Sequence, residues 1–146
     1  MNQVLHQPLN ETELQTMLLE KDIQPTPLRL KLLAYLLSTE THPTREKMYE
    51  HINAAGQSCS RATVYNTLNL LAEKGLVLPL WVDDEHLHYD ATLMPHAHFR
   101  CKGCQGLWNL PVSLDTDHVP QLEGFLPERS EIIIYGLCPQ CGKGKG

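Results

Sequence analysis

The stretch "SRATVYNTLNLLAEKGLVLPLWVDDEHLHYDA", residues 60–91, decides the fold. Ser60 is a helix cap, and Val64, Leu68, Leu71 and Ala72 recur at helical spacing as one apolar face. Gly75 stands where a left-handed C′ residue stops a helix. Beyond it the pattern changes to two β-rich runs around an acidic turn at Asp83, Asp84 and Glu85, the mark of a hairpin, with Pro79 suited to a strand edge. Helices that run into such a hairpin describe a winged helix-turn-helix.

Upstream, the start signals repeat. "NETE", residues 10–13, has the form of a capping box, and Leu14, Met17 and Leu18 continue it as a first helix to about Lys21. Thr26 caps a second helix with Pro27 at its first position and a stripe of Leu28, Leu32, Tyr35 and Leu36. Thr44 caps a third, with Met48 and Ile52 inward. On the fourth helix the apolar face leaves Arg61, Thr63, Tyr65, Asn66 and Asn69 nearer the outside. Arg61 suits a phosphate or guanine, Tyr65 a thymine methyl and Asn66 an adenine, whereas a solvated helix face is the plainer alternative.

Downstream, residues 92–95 read as a hinge, so the chain divides into a winged-helix DNA-binding domain, 1–91, and a dimerisation and metal-binding domain, 92–146. In the second domain "HAHFRC" alternates, "EIIIY" at 131–135 is β-forming, and 114–124 reads as a short helix between them. "GKGKG" at the end reads as a flexible tail. The fold class is α+β, an N-terminal winged helix-turn-helix followed by a small α/β domain.

Four of the five cysteines form two clips, Cys101-x-x-Cys104 and Cys138-x-x-Cys141. Each two-residue gap lets a tight turn aim both sulfurs at one ion, and four thiolates leave no open coordination position, so the pattern points to structural zinc. A redox pair would need only one clip, and the duplicated two-residue gap is less typical of an iron–sulfur cluster. Cys59 reads as a small packed thiol.

His96 and His98, two apart on a strand, point to one face, with Cys101 on the other. Asp90 at the end of the hairpin and His42 at the opening of the third helix are candidate further ligands. A carboxylate with imidazoles suits Fe(II), Mn(II) or Zn(II) better than copper(I). His42 in the DNA-binding domain and His96 and His98 in the dimerisation domain would let one ion staple the two. His6, His51, His86 and His118 read as exposed histidines.

The formal charge of the 146-residue chain is −5, with seven basic and eight acidic residues before position 81 and five basic and nine acidic after it. No global basic field attracts nucleic acid, so DNA contacts must be local and supported by bound cations or dimerisation. One recognition helix reads few base pairs, so a homodimer on an inverted-repeat operator of double-stranded DNA is expected, with "EIIIY" and 114–124 at its interface. No secretory or membrane-spanning segment is apparent, which places the protein in the cytoplasm, away from membranes.

Read in order, "HPTREKMY", "SRATVYNTLNLLAEKGLV", "HYD", "HAHFRCKGC" and "YGLCPQC" resemble the ferric uptake regulator (Fur) family of metal-dependent bacterial repressors. Its peroxide-sensing members are the nearest likeness, through "HPT" and "ATVYN". The resemblance implies a non-enzymatic transcriptional repressor with a regulatory Fe(II) or Mn(II) ion on His42, Asp90, His96 and His98. It further implies that peroxide acting on the iron form oxidises His42 or His96, so that metal and DNA are released.

The chain departs from that pattern. Asn109 occupies the position, five residues after the second cysteine, where those sensors usually have a carboxylate, so it enters the regulatory set as a neutral, weaker ligand. Ala97 and Ser130 replace residues of a third metal site, and Gln24 replaces a basic minor-groove contact. Sensing of zinc, iron or manganese without peroxide is the alternative within the family. Outside it stand a metal-dependent hydrolase, for which no general base is evident, and a zinc-storing module without DNA function.

Overall fold

A computed structural model describes residues 8–145, so His6 lies outside the described residues. The chain divides into two compact units, Met1–Leu93 and Met94–Gly146.

The first unit contains helices α1 (Glu11–Leu19), α2 (Pro27–Ser38), α3 (Arg45–Ala54) and α4 (Arg61–Glu73), then strands β1 (Leu78–Trp81) and β2 (Leu87–Asp90). Every helix begins at its expected cap. Asn10 and Glu13 complete a reciprocal capping box, and Thr26, Thr44 and Ser60 each accept a backbone N–H three residues on. Helix α1 ends two residues earlier than expected. Ile23 N–H bonds to the Leu18 carbonyl at 2.9 Å while Asp22 takes φ 58°, so the chain leaves the helix by a left-handed turn. Gly75, at φ 75°, ends α4 the same way, with Leu76 N–H on the Leu71 carbonyl at 2.9 Å.

These helices enclose one apolar core. Leu18, Leu32, Met48, Ile52, Val64, Leu68 and Leu71 have essentially no exposed surface, each contributing about 1.5–3 kcal/mol by leaving water. Helix α2 is more deeply embedded than the expected stripe. Leu33 is fully buried as well, because α1, α3 and α4 all pack against α2. Tyr35 is only half-buried, its ring stacked on His51 at 3.7 Å; His51, expected merely to be exposed, therefore has a ring partner. Strands β1 and β2 pair antiparallel, Trp81 opposite Leu87 and Leu78 opposite Asp90. A single bridge from Thr44 to His88 ties β2 to the entry of α3.

The second unit is a three-stranded sheet in the order β4-β3-β5, from β3 (Ala97–Cys101), β4 (Leu107–Leu110) and β5 (Ile133–Gly136). Strand β3 pairs antiparallel with β4 and parallel with β5. The sequence reading lacked β4. The helix it placed at 114–124 is instead two single 3-10 turns, Thr116–His118 and Pro120–Leu122. Asp115 caps only the first of these, and Pro120 holds Val119 in an extended conformation that interrupts any α-helix. Residues 142–144, part of the expected tail, continue the hydrogen-bonded turns that begin in the second cysteine clip, with Gly142 N–H on the Cys138 carbonyl at 2.8 Å. No helix among the described residues is long and apolar enough to cross a membrane.

Candidate metal centres and nucleic-acid interface

Parallel pairing places Cys101 opposite Gly136, so the clip that ends β3 lies against the clip that follows β5. Lys102 N–H on the Gly136 carbonyl, at 2.7 Å, fixes the approach. The four sulfurs of Cys101, Cys104, Cys138 and Cys141 fall within 4.8 Å of one another, and Cys104 and Cys138 are 3.9 Å apart. Sulfurs about 2.3 Å from a tetrahedral zinc lie about 3.8 Å apart, so the cluster fits that ion. Gly103 permits the closeness, since a Cβ there would meet Cys141 Sγ at 2.8 Å.

The same turns favour thiolate. Backbone N–H groups of Cys138, Cys104 and Gly103 point at Cys101 Sγ and lower its pKa to about 6. Cys141 is pushed up to about 12 by hydrogen bonds to Cys138 and Cys101. Four clustered sulfurs cannot all ionise without a cation among them, which is the demand that zinc meets. None of the five cysteines forms a disulfide.

In the first unit, His42 and Asp90 form a buried pair, 3 % and 5 % exposed, with His42 Nε2 3.3 Å from Asp90 Oδ2. His42 is held in the left-handed region at φ 51°, a conformation that histidine tolerates at a modest cost. Its carbonyl accepts a 2.6 Å hydrogen bond from His88 Nδ1–H, and Tyr89 N–H on the Pro43 carbonyl at 3.0 Å anchors the next residue. The wing strand thus sets the backbone of His42 and also delivers Asp90. Asp90 Oδ1 accepts Thr92 N–H at 2.8 Å, which aims the carboxylate. Sequence reasoning missed His88, and its only signal was its place beside Asp90 in "HLHYD".

In the second unit, His96 Nε2 and His98 Nε2 face each other at 3.0 Å. His96 Nδ1 lies 2.7 Å from the Met94 carbonyl, which can only accept, so the proton is on Nδ1 and Nε2 presents a lone pair. Two ring nitrogens so close need a proton or a cation between them. Asn109 is the cross-strand partner of His98, hence on the same face of the sheet. Each unit therefore carries a preformed pair of donors suited to a divalent cation.

Of the four residues expected to face DNA, Thr63 and Asn66 are exposed on α4, with the Thr63 hydroxyl 2.9 Å from that of Ser60. Arg61 and Tyr65 are engaged by Glu46 of α3. Arg61 Nε lies 3.2 and 3.1 Å from the two carboxylate oxygens, and Nη2 donates at 2.7 Å. The Tyr65 hydroxyl donates to Glu46 Oε2 at 2.6 Å. These bonds hold the Glu46 carboxyl at about 2 and raise the Tyr65 phenol. Glu46 was also absent from the sequence reading, because a contact between two helices leaves no mark in the spacing of either.

The Ferric uptake regulator family profile matches residues 20–111. The peroxide operon regulator of Bacillus subtilis (strain 168) is 32 % identical, covering 85 % of this chain and 88 % of its own length. The peroxide-responsive repressor PerR of Staphylococcus aureus (strain Mu50) is 30 % identical, with 82 % of each covered. A crystal structure of the Campylobacter jejuni peroxide stress regulator superposes with TM-score 0.66 at 28 % identity, covering 91 % of this chain and all of that one.

Proposed function

The chain belongs to the ferric uptake regulator family, and on that premise we propose that it relieves repression in response to peroxide through a regulatory Fe(II) or Mn(II) site. Membership makes it a metal-dependent transcriptional repressor that binds DNA as a dimer, with structural zinc and a regulatory divalent cation as cofactors. Relatives of this kind regulate transcription rather than catalyse, and we read this chain likewise, acting in the cytoplasm where its operators lie.

We assign Cys101, Cys104, Cys138 and Cys141 to the zinc. His42 and Asp90 from the first unit, and His96 and His98 from the second, would hold the regulatory cation, with Asn109 as a weak fifth donor. The carrying observation is the 3.0 Å approach of the two Nε2 atoms of His96 and His98, with the His96 proton committed to the Met94 carbonyl. When bound, the cation supplies a shared positive centre, and Fe(II) also supplies an electron to peroxide. Oxidation of the His42 or His96 ring would remove a donor, and the loss of affinity would release the DNA. Arg61, Thr63, Tyr65 and Asn66 are the proposed DNA contacts, arranged in two copies for an inverted repeat.

Dimerisation is supported by the apolar surface of the second unit. Trp108, Ile134, Tyr135 and Phe125 are exposed there, and Leu126 is 93 % exposed. A second copy of the chain is the natural cover for such a face. Asn109 favours one second reading, a sensor of zinc without peroxide chemistry, because a neutral amide holds hard cations such as Mn(II) less well than a carboxylate does, while imidazoles suit zinc.

The test loads the protein anaerobically with Fe(II), Mn(II) or Zn(II) and measures binding to an inverted-repeat duplex selected from a randomised pool. Peroxide is then added. Release from DNA in the iron form alone, with one oxygen added to His42 or His96 by mass spectrometry, is expected. Iron-loaded protein that stays bound and unmodified would leave the plain metal sensor.

A further inference from the structure

We infer that Glu46 is a positioning residue that holds Arg61 and Tyr65 in a base-reading pose and suppresses binding to DNA of the wrong sequence. The inference rests on the assignment of Arg61 and Tyr65 to the DNA face. Glu46 engages Arg61 side-on, through Nε and Nη2, which leaves the far fork of the guanidinium, Nη1 and the second Nη2 hydrogen, to donate elsewhere. That fork matches the O6 and N7 acceptors of a guanine. A long, flexible arginine would otherwise sample many poses.

The second carboxylate oxygen is occupied by Tyr65, so one residue of α3 orients two residues a helical turn apart on α4. Cation–π contacts complete the assembly, with the Arg61 guanidinium carbon 4.4 Å from the Tyr49 ring centroid and the Arg45 carbon 4.8 Å from that of Tyr65. Because its carboxyl is held at about 2 by Arg61 and Tyr65, Glu46 is ionised at every physiological pH. An exposed ion pair of this kind adds little to stability, so its worth lies elsewhere.

Electrostatics supply the discrimination. Arg61 alone would be drawn to any phosphate, and non-specific affinity grows with each such cation. Paired with Glu46 it carries no net charge, and the carboxylate repels a phosphate within the screening length of about 10 Å. What survives is hydrogen bonding from a fixed fork, which rewards the right base edge. Selectivity arises by weakening the wrong complex. In a chain of net charge −5, one unmasked arginine would be a large share of the local attraction.

The test uses the full-length, Mn(II)-loaded protein and measures fluorescence anisotropy on the selected operator duplex and on a mixed-sequence duplex of equal length, over a series of salt concentrations. Glu46→Gln keeps the shape but removes the charge. It should strengthen mixed-sequence binding, lower the ratio of operator to mixed-sequence affinity about ten-fold and steepen the salt slope by about one per protomer. Glu46→Asp should restore the slope. Tyr65→Phe, which deletes only the hydroxyl, should weaken operator binding with the slope unchanged. If Arg61→Ala weakens operator binding yet Glu46→Gln leaves ratio and slope as they were, the inference is overturned alone. If Arg61→Ala has no effect on operator binding, the DNA-face assignment fails and takes the inference with it.

Discussion

At the scale of single residues, charge decides most. Glu46 titrates near 2, against an ordinary 4.5, because Arg61 and Tyr65 stabilise its ionised form. A carboxyl depressed in the folded state stabilises fully above the unfolded value and loses that effect as pH falls through the folded one. Carbon NMR of the Glu46 side chain should therefore show no titration between pH 6 and 3.5; a midpoint near 4.5 would contradict the pairing. Asn109 supplies a second prediction. Asn109→Asp places a negative oxygen across from His98, and Mn(II) affinity by calorimetry should rise about ten-fold, since each added anionic ligand tightens hard-cation binding. Unchanged affinity would remove Asn109 from the regulatory set. These two residues also mark what the sequence can disclose. Asn109 stood out through the family resemblance, at the position where peroxide sensors usually carry a carboxylate, whereas Glu46 and His88 act across gaps of 15 and 46 residues to Arg61 and His42, which no local pattern announces.

At the scale of elements, the strongest signals were the ends. Asn10, Thr26, Thr44 and Ser60 each announced a helix, and each does accept the expected backbone N–H. Replacing Ser60 with Ala should cost about 1 kcal/mol and lower the melting midpoint by about 4–8 °C in a unit of this size. No shift in calorimetry would mean that α4 is held by packing alone. Gly75→Ala, at φ 75° with open space around it, should cost a similar amount through backbone strain alone. Strand β4 was missed because "LWNL" is only four residues and lies half-exposed, so neither length nor alternation separates it from a loop. The helix expected at 114–124 failed for a different reason. Pro120 breaks its hydrogen bonding, and none of its apolar residues is fully buried; Leu114 remains exposed.

At the scale of the whole molecule, two cations carry the account. The second unit has few fully buried side chains among its described residues, with Ala97, Cys101 and Cys138 prominent among them, so the zinc clip contributes folding energy that the small core cannot. Cys138→Ser should lose the zinc and, by sedimentation, the dimer; a zinc-free dimer would show the clip to be dispensable. The regulatory cation is the central claim, with donors drawn from both units. Its most direct test is Mn(II)-dependent operator binding by His42→Ala and His96→Ala separately, with zinc measured in the same samples. The account predicts that either change, in a different unit, abolishes the response to Mn(II) while one zinc per chain remains. If either variant still binds its operator in proportion to Mn(II), a single shared ion is not the switch.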